Sequence, residues 1–306
     1  MILVTGGLGM IGGHTARALT DLGHEVVVTA YHRPEVPSFL AGRVTVEALD
    51  VTDRDAFLAL ADRHDISDIV HLAGSISGQD PVSFFRADTA GLLNALDAAR
   101  TWGVRRFAVA SSLGVYIGRA ETRWHEDLAL PAVEVPHLII AFKKAVEPLA
   151  THSLQGSGVQ SVILRIGSTW GPLMDPQSPF NYIPPYISAV LRGEEPQPLY
   201  ADDGGDGCYA PDAGRAIALL MSAQTLRHDT YNVSSGRPFV NRELADAVRA
   251  IAPGLRLDLR PGRQAGPGDN PYLDIARLTR DTGFAPAFDI AAAVADYVAW
   301  RADNPR

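Results

Sequence analysis

The first thirteen residues, Met1-Ile-Leu-Val-Thr-Gly-Gly-Leu-Gly-Met-Ile-Gly-Gly13, restrict the fold of this chain more than any other stretch. Ile2, Leu3 and Val4 form a short apolar run, the pattern of a strand buried on both faces of a parallel sheet. Gly6, Gly9 and Gly12 follow, and then Ala16, Leu19 and Leu22 at helical spacing as far as Gly23. A strand, a glycine turn and a helix start, in that order, bring backbone N–H groups and the positive end of a helix dipole against a dinucleotide pyrophosphate. The second strand, Glu25-Val-Val-Val-Thr29, comes promptly and completes a βαβ unit. Gly6, Gly9, Met10, Ile11 and Gly12 are therefore the expected phosphate site.

The alternation continues. Residues 43–49, 69–73, 106–110 and 161–165 read as strands, and 55–63, 84–100 and 136–149 as helices. Such β/α alternation predicts an α/β fold, a Rossmann-type doubly wound parallel sheet. From Gly171 onward prolines break the pattern, with a short helix expected at 186–191, and a second proline and glycine cluster spans 253–271. An amphipathic helix over 289–300 closes the chain.

Bulk properties exclude several classes. The formal charge of −8, with no basic run to offset it, argues against a nucleic-acid partner. Cys208 is the single cysteine, which excludes an internal disulfide and suits a reducing cytoplasm. No apolar run is long enough to span a bilayer, and the strand at residue 2 leaves no room for a leader ahead of it. The expectation is a soluble cytoplasmic protein with no membrane partner and no metal.

Thr5-Gly-Gly-Leu-Gly-Met-Ile-Gly12 resembles the TGxxGxxG fingerprint of the extended short-chain dehydrogenases/reductases, the group of NAD(P)-dependent epimerases and dehydratases. The likeness recurs at Leu49-Asp50-Val51, His71-Leu72-Ala73-Gly74, 111–118, 164–172 and 231–235. It implies a dinucleotide-binding domain from 1–170 and 208–235 and a smaller C-terminal substrate lobe from 171–207 and 236–306. It also implies that Asp50 and Val51 meet the adenine, and that Leu72, Ala73 and Gly74 line the cofactor. Members that bind NAD usually place an acidic residue where Ala30 stands. Here the segment runs Ala30-Tyr-His-Arg33, without a carboxylate before Glu35. Arg33 could meet a 2′-phosphate, so the choice between NAD and NADP tips toward NADP.

The resemblance carries one gap. Redox members use a tyrosine as acid/base, a lysine one helical turn later, and a serine or threonine at an earlier strand end. Ser112 matches the serine, and Lys143 the lysine, because Glu147 follows it at the family spacing. Four residues before Lys143 stands Ile139, and no tyrosine occurs between Tyr116 and Tyr182. Isoleucine cannot move a proton. Tyr116 (ordinarily structural in the family), His137 or a ribose hydroxyl of the cofactor are the substitutes, with Tyr116 preferred for its nearness to Ser112. The reading is an oxidoreductase or epimerase/dehydratase-type enzyme with a non-standard acid/base. A catalytically silent dinucleotide-binding protein on the same fold is the alternative.

On the substrate side Ser168 replaces the asparagine of the family motif, and no arginine precedes Tyr209. Only Arg260 and Arg263 are left as candidates for holding a diphosphate. Trp170, Phe180, Tyr182 and Tyr186 suggest an aromatic pocket for a sugar-like or other small hydroxyl or carbonyl compound, with Ser112, Ser168, Trp170 and Tyr182 against it. The family pairs two helices into homodimers. The corresponding apolar stripes are Leu92/Leu96 and Ile139/Phe142/Val146, so a homodimer is expected.

Overall fold

A computed structural model describes residues 1–32, 34–74, 80–254, 257–264 and 269–305. Seven parallel strands form its main sheet: β1 (Ile2–Thr5), β2 (Val26–Ala30), β3 (Thr45–Ala48), β4 (Asp68–His71), β5 (Arg106–Ser112), β6 (Gln160–Ile166) and β7 (Thr230–Val233). Their spatial order is β7-β6-β5-β4-β1-β2-β3. The chain winds outward from β1 in one direction and returns to its other side at β4, so a crevice opens past the C-terminal ends of β1 and β4. Thr5 and His71 stand opposite each other at that point.

The helices are α1 (Met10–Asp21), α2 (Arg54–Leu58), α3 (Pro81–Trp102), α4 (Leu138–Leu154) and α5 (Ile183–Leu191). They are followed by α6 (Ala210–Ser222), α7 (Asn241–Ile251), α8 (Ala276–Thr282) and α9 (Ile290–Asp303). Successive strand residues point to opposite faces. Ile2, Val4 and Val28 thus pack with Ala16 and Leu19 of α1 and Ile217 and Leu220 of α6. Leu3, Val27 and Ile69 pack instead with Leu92 and Leu96 of α3 and Phe142 and Val146 of α4. The pair α1/α6 lies unusually close: a Cβ on Gly214 would fall 2.3 Å from the His14 carbonyl carbon, so only glycine fits there.

A separate apolar cluster joins Trp170, Ile187, Tyr209, Phe239, Leu244, Val294 and Tyr297. Residues 276–284 depart from the lobe expected over 236–306, because Leu278 and Phe284 pack into the core on the α1/α6 side of the main sheet. Helix α6 was not evident in the sequence. Pro211, which reads there as an irregularity, stands in its first turn, where the fixed φ of proline favours the helix and its missing N–H costs nothing.

The stripes expected to form a dimer need correction. Leu92, Leu96, Phe142 and Val146 are buried within the chain itself, under the sheet. The large apolar side chains that α3 and α4 expose are Val82, Leu93 and Leu149. Among the described residues no helix is long and apolar enough to cross a membrane.

Candidate active site

The glycine turn forms a cradle. Gly6 has φ +66°, and a Cβ on Gly12 would fall 2.3 Å from the Gly6 carbonyl oxygen. Gly9 caps α1 without a side chain to occupy its first N–H groups, and Gly9, Met10 and Ile11 reach the surface. Backbone therefore faces solvent at the positive end of a helix, as a pyrophosphate requires. Across the crevice, Leu72 and Ala73 are fixed by their N–H groups, which donate to Thr5 Oγ1 at 3.2 and 3.3 Å. Thr5 Oγ1 also meets His71 Nδ1 at 2.9 Å. Burial holds His71 down at about 3, so it is neutral.

Toward the adenine end, Asp50 accepts from both the N–H and the hydroxyl of Thr52. Burial raises its carboxyl, but these bonds and one from Tyr31 outweigh it and leave the pKa below the ordinary value. Val51 is anchored by Asn94 Nδ2, which donates to its carbonyl at 3.0 Å. Arg33, the residue on which the NADP expectation turned, lies outside the described residues.

Ser112 ends β5 and is partly exposed there, with its Oγ accepting from Gly114 N–H at 3.1 Å. Lys143 reaches the same end of β5, where its Nζ donates to the Ala110 carbonyl at 2.7 Å. Burial brings Lys143 down to about 8, against an opposing pull from the Asp88 charge. Ile140 packs on Gly114 beside Ser112, and Ile139 is half-buried against the core formed by α3 and α4. The first turn of α4 thus presents hydrocarbon where a phenol would be needed.

Tyr116, the preferred substitute, is corrected by the structure. The chain turns inward after Ser112 through a tight turn over Leu113–Tyr116, and the ring is fully buried against Trp124. Its hydroxyl donates to Asn232 Oδ1 at 2.9 Å and accepts from Arg165 Nη1 at 2.8 Å. Arg165 in turn pairs with Glu147, which also accepts from Ser111 Oγ. Burial pushes the Tyr116 phenol up to about 12, more than the Arg165 charge lowers it. A hydroxyl occupied on both sides and titrating so high cannot serve as acid/base near neutrality. His137 is exposed at the N-cap of α4, and its side chain makes no capping bond.

On the substrate side, Ser168 Oγ accepts from Asn181 Nδ2 at 3.2 Å. Tyr182 donates to Asn241 Oδ1 at 2.5 Å. Tyr182 and Asn241 line a cleft of about 400 Å³ together with Leu199, Tyr200, Asp203 and Arg260. Arg260 lies over the Tyr200 ring at 5.6 Å. Trp170 does not face this cleft; it is buried between Tyr209 and Tyr297 in the core of the lobe. Asp206, in the segment that lacks the family arginine, is buried and holds Ser168 N–H, Ser234 Oγ and Leu273 N–H.

The comparisons agree with this layout. The family model described as the NAD dependent epimerase/dehydratase family matches residues 2–234. The chain belongs to that family. A dTDP-glucose 4,6-dehydratase of Streptomyces griseus is 28% identical over 316 aligned positions, covering 98% of this chain and 93% of the relative. The UDP-glucose 4-epimerase of Thermus thermophilus, solved as a complex with NAD, superposes with a TM-score of 0.78 at 27% identity over 97% of this chain and 98% of the other. The Thermotoga maritima UDP-glucose 4-epimerase, solved with UDP-glucose, has a TM-score of 0.81 and 22% identity over 98% of each chain, a likeness of fold. The protein is thus an enzyme of the NAD-dependent epimerase/dehydratase type. Sequence reasoning missed Asp88, Asn181 and Asn241 at the site. Asn181 carried a faint signal, as a polar residue just ahead of an apolar helix.

Proposed function

We propose that this enzyme oxidises a hydroxyl carbon of a nucleotide sugar and reduces it again, with a dinucleotide held by Gly6, Gly9, Met10, Ile11, Gly12, Asp50, Val51, Leu72, Ala73 and Gly74. The observation that carries the reading is the convergence of Ser112 and Lys143 at the open end of β5, beside the glycine cradle. The dinucleotide would supply a hydride acceptor and donor there. Lys143 would bind its nicotinamide ribose, and Ser112 would orient the substrate hydroxyl. Tyr182 lines the cleft where Arg260 would supply a guanidinium for a diphosphate, and Ser168 is bonded to the neighbouring Asn181. That placement, with the activities of the dehydratase and epimerase relatives, moves the substrate from the less charged compound expected from sequence to a nucleotide sugar.

We further propose NADP over NAD, on the absence of a carboxylate where β2 ends at Ala30 and on Arg33 just beyond it. The homodimer is proposed through Leu93 of α3 and Leu149 of α4. Buried Cys208 suits a reducing cytoplasm. Incubation of the enzyme with UDP- and dTDP-hexoses and each dinucleotide, followed by NMR of the sugar and absorbance of reduced nicotinamide, tests the reading. An altered hexose is the expected product. Binding of neither nucleotide sugar in calorimetry refutes the substrate class, and equal affinities for NAD and NADP refute the cofactor preference.

A further inference from the structure

The chain contains only two lysines, Lys143 and Lys144, adjacent on α4. Lys144 holds the loop ahead of the helix by donating to the carbonyls of Pro131 and Glu134. Lys143 instead reaches the end of the sheet, to the Ala110 carbonyl two residues before Ser112. One turn before it stands Ile139, in the position of the missing tyrosine.

The charged and titratable groups around Lys143 come from four elements. From β4 comes His71, held neutral by burial. From β5 come the Ala110 carbonyl and the Ser112 hydroxyl. From α4 itself comes Glu147, whose two carboxylate oxygens are bound by Arg165. From α3 comes Asp88. Its Oδ2 lies 3.5 Å from the point a Cβ on Gly74 would occupy, at the mouth of the crevice. One turn earlier on α3, Phe84 meets Phe142, the neighbour of Lys143, edge-on at 6.0 Å. Asp88 therefore stands on the side of α3 that faces both the crevice and Lys143.

We infer that Lys143 itself carries the proton that a tyrosine at position 139 would carry, with Asp88 as the positioning residue that governs its charge. This rests on the nucleotide-sugar reading above. In the oxidative direction the amine enters neutral. The substrate O–H bond breaks and an N–H bond forms, giving the ammonium, while the carbon releases its hydride to an oxidised nicotinamide dinucleotide. On return the carbon regains a hydride and the ammonium gives its proton back to the oxygen. An amine that burial has brought to about 8 has both forms available near neutrality, as proton exchange in both directions requires. The Asp88 charge opposes that fall and keeps the protonated form accessible.

The low lysine count makes the test direct. In [13C]lysine-labelled Lys144→Arg protein a single lysine Cε signal remains, and its pH titration reads Lys143 with no substrate present. The expected midpoint is near 8. Adding Asp88→Asn should lower it by about one pH unit, and Asp88→Glu should restore it. The rising limb of kcat/KM against pH should move with the same two variants. Lys143→Arg, which keeps a donor for the ribose but does not titrate, should lose at least about a hundredfold in kcat with dinucleotide affinity changed less than threefold. A midpoint near the ordinary lysine value of about 10.4, or one that ignores Asp88→Asn, overturns the inference. If the wild type turns over and its pH limb stays fixed in Asp88→Asn, the inference fails while the functional reading stands. If no nucleotide sugar is turned over, the functional reading fails, and the titration alone decides whether Lys143 and Asp88 act as a pair.

Discussion

Replacing Tyr116 by phenylalanine separates two roles that the sequence alone leaves confounded. An acid/base lost in this way would abolish turnover and leave stability almost untouched. The structure gives the hydroxyl different work, donation to Asn232 at 2.9 Å and acceptance from Arg165 at 2.8 Å, both out of water. The bond from a charged guanidinium is worth about 1.5–3 kcal/mol and the neutral one about 1 kcal/mol. The remaining contacts of Arg165 with Glu147 and the Glu126 carbonyl soften the loss. The net destabilisation should be about 2 kcal/mol, a fall of roughly 3 °C in melting temperature for a chain of this length. Urea unfolding followed by circular dichroism measures it, alongside kcat per folded enzyme. The expectation is a lower midpoint with kcat kept within threefold. A loss of turnover beyond a hundredfold with an unchanged unfolding curve would refute the placement of Tyr116 in the structural network.

Acid should weaken the fold through two histidines. Burial, with the Arg17 charge adding to it, lowers His14 to about 4 despite an opposing hydrogen bond with Pro172, and burial lowers His71 to about 3. Both values lie below the unfolded value near 6.5, so their contribution is complete above pH 6.5 and is lost as pH falls toward 4 and 3. At pH 5 each should cost about 2 kcal/mol of unfolding free energy relative to pH 7.5, and a stability curve that is flat over that interval would contradict their burial. For the dimer, Leu93→Glu should convert the species to monomer in light scattering at micromolar concentration. A wild type that is already monomeric refutes the pairing of α3 and α4 between copies.

Most of the sheet was legible because its strands up to β6 have local signatures, whereas β7 (Thr230–Val233) did not read as a strand. Ile2-Leu-Val4 and Val26-Val-Val28 are continuous apolar runs beside glycine, and no other structure buries such runs so simply. The phosphate cradle was legible for the same reason, since Gly6 has a positive φ and a Cβ on Gly12 would fall 2.3 Å from the Gly6 carbonyl oxygen. The site chemistry was not. Tyr116 lies four residues from Ser112 in sequence, but the tight turn between them sends one into the crevice and the other into the core. Asp88 has no sequence marker at all, as one carboxylate on a helix. It acquires meaning only where α3 crosses the end of β4 and comes within range of Lys143. The apolar stripes on α3 and α4 were legible as stripes, but periodicity cannot tell a face turned to the chain's own sheet from one turned to a second copy.

The contact at Gly214 joins two segments made far apart in synthesis. Helix α1 emerges from the ribosome with the face bearing Ala16 and Leu19 bare, because its covering partner is made two hundred positions later. At roughly 5–20 residues per second that interval lasts about 10–40 s. During it the glycine turn has β1 behind it, but the α6 backbone that meets α1 at Gly214 has not yet been made.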